Sequence, residues 1–125
     1  MDTTTQIHDM KKPLQCALWR KERVELEELN LESLEVFTRE PHLKRDLFRC
    51  RECGQLYFHE WYEHHNFKHD AYMYDTFIPV EGQEDIDALL KTTSSAELMN
   101  FLPQLHGSYT NDGNDTLRWM EKKEE

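Results

Sequence analysis

Very little in this chain breaks, links or divides it. Four glycines and four prolines in 125 residues leave no stretch rich enough in Gly, Ser or Pro to act as a linker. A single domain spanning 1–125 is therefore expected, with residues 1–12 frayed or disordered. Three cysteines are an odd count and too few for a disulfide scaffold, which points to a reducing cytoplasm. No apolar run approaches the roughly 20 residues that a membrane span needs. Met1 to His8 lacks the basic, apolar and small-residue order of a secretory signal.

Positive charge is scarce too, with 15 Lys and Arg against 25 Asp and Glu and a net charge of −10. That balance argues against direct binding to nucleic acid or to an anionic membrane. It suits a basic protein partner, and it equally suits plain solubility. The charge is uneven, since residues 81–125 hold 10 acids against 4 bases, whereas residues 1–63 hold 13 against 10. Common catalytic signatures are missing: there is no Gly-rich phosphate loop, no H-E-x-x-H and no G-x-S-x-G. Acids are so frequent that no carboxylate pair stands out for acid–base work. The chain reads as no enzyme.

What is present centres on Phe48-Arg49-Cys50-Arg51-Glu52-Cys53-Gly54-Gln55-Leu56-Tyr57-Phe58. Two cysteines spaced C-x-x-C are followed at once by glycine and flanked by strand-like apolar runs. This is the pattern of a zinc knuckle, in which a tight turn presents two thiolates and glycine lets the backbone amides face the sulfurs. Cys16 is the natural third ligand, brought in by folding. Structural zinc prefers four Cys or His ligands, and the fourth has no local signature. If Gln55–Glu63 is extended, His59 lies about 20 Å from Cys53 at ~3.3 Å per residue. The same reasoning removes His64, His65 and His69. His8, His106 and Asp85 remain open as fourth ligands. A hairpin that keeps its turn without metal competes with structural zinc. A redox C-x-x-C would sit at a helix N-terminus rather than between strands, and a catalytic zinc would need an open position and an acid–base group.

Along the chain, Leu14–Trp19 reads as a short strand, 22–29 as a strand and 31–39 as a helix capped by Asn30 and ended by Pro41. Leu43–Cys50, Gln55–Glu63 and Ala71–Val80 form an antiparallel meander. Gln83–Leu90 reads as a helix with acids in its first turn, and Ala96–Leu102 as a second helix stopped by Pro103. Residues 107–115 read as loop, and Thr116–Met120 as a short edge strand. The expected class is α+β: a small antiparallel meander around the C-x-x-C hairpin with helices packed on it. His64, His65 and His69 gather in a polar turn. A second metal there is possible if that turn is helical, but a solvated loop titrating between pH 5 and 8 is the commoner outcome.

The stretch Cys50-Arg51-Glu52-Cys53-Gly54-Gln55-Leu56-Tyr57-Phe58, followed by Glu60, Tyr62, Glu63 and Thr76-Phe77-Ile78-Pro79-Val80, resembles a group of small bacterial cytoplasmic zinc-knuckle-like proteins. That group is associated with immunity proteins of contact-dependent growth inhibition. The resemblance covers residues 43–80, about a third of the chain. It implies a protein that binds and neutralises one cognate toxin domain, often a nuclease. An acidic surface agrees, because nucleases carry basic clefts. The acids proposed for that contact are Glu81, Glu84, Asp85 and Asp87, or those of segment 22–35. The alternative is a zinc-ribbon-like module docking on transcription or translation machinery.

Overall fold

Strand-forming residues, rich in aromatics from Phe48 to Phe77, set the architecture from Leu43 onward. The computed structural model describes residues 8–65, 71–110 and 116–121. Its strands are β1 (His8–Asp9), β2 (Val24–Glu25), β3 (Leu31–Glu40), β4 (Leu43–Cys50), β5 (Leu56–His65), β6 (Ala71–Val80), β7 (Phe101–Leu102), β8 (Gln104–Thr110) and β9 (Thr116–Met120). Helix α1 is Gln83–Leu90 and the single turn α2 is Ser95–Leu98; Ala17–Arg20 and Leu26–Glu28 are short 3-10 turns. Seven strands form one antiparallel sheet in the order β2-β9-β8-β6-β5-β4-β3, and β1 pairs in parallel with β7.

The fold is therefore mostly β, which corrects the expected α+β class with helices packed on a small meander. The three meander strands do pair antiparallel, through Leu47↔Phe58 and Phe58↔Ile78 among others. They are the middle of a wider sheet, with one full helix laid on it. The segment 31–39, expected as a helix, is edge strand β3. Its ladder with β4 shifts register between Ser33 and Glu35 and again between Val36 and Thr38. Each extra residue flips the side-chain phase, so the apolar spacing no longer has period two and imitates a helix.

Other boundaries moved for similar reasons. The expected strand 14–19 is a turn leading into the Ala17–Arg20 3-10 turn, and only Val24–Glu25 of 22–29 is strand. The expected second helix stops at Leu98, because Phe101–Leu102 pairs with His8–Asp9. Residues 104–110, expected largely as loop, are β8, and β9 lies inside the sheet rather than at its edge. Gly107 explains the loop-like look of β8. A Cβ there would stand 2.6 Å from the Thr116 carbonyl oxygen, so glycine marks a close backbone approach within a strand.

The two faces of the sheet carry separate cores. On one, Cys16, Leu18, Val24, Cys50, Tyr57, Phe77, Leu105 and Leu117 pack together under the N-terminal segment. On the other, Ile86 and Leu89 of α1 and Leu98 of α2 pack on Leu47, Phe58, Ile78 and Val80. A buried ion pair ties the second layer down. Arg45 Nε donates to Glu60 Oε2 at 2.9 Å, Arg45 Nη1 donates to the Thr92 carbonyl at 3.0 Å, and Ser95 Oγ donates to Glu60 Oε1 at 2.7 Å. Both charged residues are at most 5% exposed. Removing one partner strands the other charge in the core, so Arg45→Met is expected to cost about 3–5 kcal/mol in urea unfolding. The double variant Arg45→Met/Glu60→Leu should recover most of that loss; equal losses in both variants would show that burial of the pair is not the cause.

Candidate metal centre

Two separate pieces of chain bring the cysteines together. Cys50 ends β4 and Cys53 sits in the turn that leads to β5. The turn closes through Gly54 N–H to the Cys50 carbonyl and Cys50 N–H to the Gln55 carbonyl, both at 2.8 Å. Gly54 has φ +82° with open space around its would-be Cβ, so glycine is required there by backbone conformation alone. Cys16 comes from the N-terminal segment, which crosses the sheet above the hairpin. Gln15 Nε2 donates to Gln55 Oε1 at 2.7 Å, and Gln55 Nε2 donates to the Val80 carbonyl at 3.1 Å. Trp119 Nε1 donates to the Leu18 carbonyl at 2.8 Å and holds the far side of Cys16.

The ligand atoms of Cys16, Cys50 and Cys53 all lie within 4.8 Å of one another. Three thiols so placed can hold a metal ion. Thiolates at ~2.3 Å from a tetrahedral zinc stand about 3.8 Å apart, so the donor set fits such an ion with a contraction of at most about 1 Å. Cys16 and Cys50 are buried, whereas Cys53 is half-exposed beside a cavity of about 180 Å³ lined also by Gln15, Gln55 and Glu81.

Electrostatics differ sharply between Cys16 and Cys50. Burial pushes the Cys16 thiol up to about 12, against the Tyr57 hydroxyl and the Leu18 amide, which favour the thiolate. Cys50 is also penalised by burial, but the amides of Cys53 and Glu52 and the neighbouring thiols outweigh it, and its net shift is downward. The knuckle thus eases ionisation at Cys50 and opposes it at Cys16. Tyr57 is fully buried and donates to Cys16 Sγ at 3.0 Å. Burial, then the Cys16 contact, pushes its phenol well above its ordinary value, so it stays a donor.

The other expected ligands lie elsewhere. His8 stacks on Phe101 at 4.2 Å between ring centroids. His106 Nδ1 bonds Thr76 Oγ1 at 2.9 Å, and burial lowers its pKa against the opposing pull of Asp75. Asp85 accepts the Glu81 amide at 2.8 Å. His64 and His65 belong to β5, and His69 lies outside the described residues. Among the described residues, no fourth Cys, His, Asp or Glu joins the triad. Glu81 precedes α1, and Glu84, Asp85 and Asp87 lie along it.

Two groupings were not anticipated. His59 is stacked on Phe77 and bonds Asp75 through Nε2 at 2.6 Å, with Asp46 4.0 Å from its Nδ1. His59 Nδ1 and Asp46 Oδ1 are buried without a hydrogen-bond partner. The strand register was the available signal, since Asp46 pairs directly with His59. The second grouping, basic side chains around Trp19 and Trp119, joins residues about a hundred positions apart, which nothing local connects. No family model, curated protein or solved structure matches this chain.

Two outcomes are expected. Tyr57→Phe deletes the hydroxyl that donates to Cys16 Sγ and should weaken metal affinity about 10- to 100-fold, as outer-shell changes do, measured by chelator competition. In metal-free protein, keeping Cys16 neutral contributes stability in full below pH 9, and that contribution fades as pH rises toward 12. Alkylation followed by peptide mass mapping at pH 8 should therefore label Cys16 last; first labelling at Cys16 would contradict its burial and raised pKa.

Proposed function

We propose that this protein is a metal-stapled inhibitor: an immunity-type protein that covers a basic toxin domain, probed as a nuclease first, in the bacterial cytoplasm. In this reading the cysteine triad holds one structural Zn2+, and the exposed acids provide the contact. Zinc fits because it accepts three thiolates and a fourth ligand without redox chemistry. The metal would fasten the N-terminal segment to the β4–β5 turn.

The observation that carries the reading is how α1 is used. Its apolar side, Ile86 and Leu89, is spent on the core, and Glu84 and Asp87 stand exposed on the outside, with Glu81 exposed just before them. Lys11 lies 3.7 Å from Glu81, and Gln83 bonds Asp87 at 2.8 Å, so Glu84 is the acid with the fewest local ties. An outward acidic helix in a chain of net charge −10 steers a cationic partner and repels nucleic acid. The local resemblance of Cys50–Phe58 to growth-inhibition immunity proteins supplies the partner class.

The competing zinc-ribbon-like reading draws on the knuckle turn itself, with its left-handed Gly54. Affinity capture of the tagged protein at low and moderate salt separates the two. A stoichiometric basic toxin domain supports inhibition, whereas ribosomal or polymerase subunits support the ribbon-like module. With the purified partner, Glu84→Lys/Asp87→Lys should slow association about tenfold or more and flatten its salt dependence. An association rate indifferent to salt in the wild type would sink the electrostatic contact. Metal analysis should find one zinc per chain, lost in Cys16→Ser, and a chelator should lower the melting temperature.

A further inference from the structure

We propose that the cleft between segment 20–23 and β9 binds a small anion carrying an aromatic ring, the chemistry of a nucleoside monophosphate. The residues of this site are not those of the proposed inhibitor surface, and the inference does not rest on that function.

The cleft has a structural cause. The β2–β9 ladder consists of Glu25↔Thr116 and Val24↔Leu117. Beyond Leu117 the two segments part, and a cavity of about 580 Å³ lies between them. That volume falls within the range of about 300–1,000 Å³ typical of small-molecule sites, and it is larger than a bare phosphate needs. Trp19 and Trp119 line it, with ring centroids 4.8 Å apart at 70°. The Trp119 indole is fixed by its hydrogen bond to the Leu18 carbonyl, so the aromatic wall is formed in advance. Such a wall offers a face on which a base can stack.

The rim supplies the charge. Arg20, Arg23 and Arg118 line the cleft, are exposed, and make no ion pair among the described residues. Lys21 is already engaged by Glu28 at 3.3 Å, and Glu121 by Lys12 at 3.6 Å. Three free guanidiniums thus face one unengaged carboxylate, Glu22, in a protein of net charge −10. Guanidinium forks match phosphate oxygens in bidentate geometry. A single phosphate is met inside the cleft, within a Debye length of about 8 Å. A long polyanion would have to run on past Glu25, Glu27 and Glu28, where the acidic surface repels it. The ligand is therefore a mononucleotide rather than a strand.

The test is isothermal titration of the unmodified protein with AMP, adenosine, inorganic phosphate and a short single-stranded oligonucleotide. Tryptophan fluorescence in a Trp61→Phe background follows the same titrations, because it leaves only the two cleft tryptophans. AMP is expected to bind saturably and quench that emission, with adenosine and phosphate each at least about tenfold weaker. Arg20→Gln/Arg118→Gln should weaken AMP by at least about tenfold, the loss of one or two charged hydrogen bonds, while leaving adenosine unchanged. No saturable AMP binding at millimolar concentration would overturn the proposal. So would phosphate binding as tightly as AMP, an oligonucleotide binding more tightly than AMP, or AMP affinity indifferent to the arginine changes. Both arginines are exposed, so the double variant should keep its melting temperature, and calorimetry on the wild type stands even if Trp61→Phe does not fold.

Discussion

The meeting of Cys16 with the β4–β5 turn is the constraint on which the rest of this architecture depends. One face of the sheet is otherwise open at that end, and the N-terminal segment is its cover. From residue 10 to residue 30 that cover has almost no regular structure of its own, only two 3-10 turns and the two-residue β2. It stays in place because Cys16, Gln15 and the Leu18 carbonyl each meet a specific partner on the sheet. Tyr57 sits under all of this, its ring in the core and its hydroxyl on sulfur. A metal bridging the three sulfurs would add a covalent-strength tie where packing alone is thin.

The opposite face solves the same problem by different means. There α1 and α2 bring ordinary apolar burial, and the Arg45–Glu60 pair fixes the loop between them. The pair is costly to desolvate, and it is accepted because both charges reach further partners on Thr92 and Ser95. The sheet is thus held between a helical layer fastened by a salt bridge and a coil layer gathered around sulfur. The acidic surface and the basic cleft fall on different parts of this sandwich, so one molecule can present two electrostatic characters despite its net charge.

Much of the centre was legible from sequence. Strands β5 and β6 carry aromatic and β-branched residues on both faces, so propensity rather than alternation marks them as strands, and β4 is read from its place before the turn. Cys50, Cys53 and Gly54 declare the turn, because a thiolate pair followed by a left-handed residue has few other uses. Cys16 is the natural third ligand of that pair, and the fold does bring its sulfur to the other two. Strand β3 was misread because its two bulges disrupt the alternation that identifies a strand. Strand β8 was misread because Gly107 looks like a loop residue until β9 is seen to press against it.

The sequence by itself determined the central hairpin, its cysteine-bearing turn and the acidity of the last third, since each depends on neighbours within a few positions. Tertiary structure alone decided the width of the sheet, the place of β9 between β2 and β8, the lack of a fourth protein ligand among the described residues, the His59–Asp75 contact and the tryptophan cleft. Each of these joins residues from separate strands or from opposite ends of the chain. Such pairings are chosen by which apolar faces can be buried together, and that choice leaves no periodic mark along the chain.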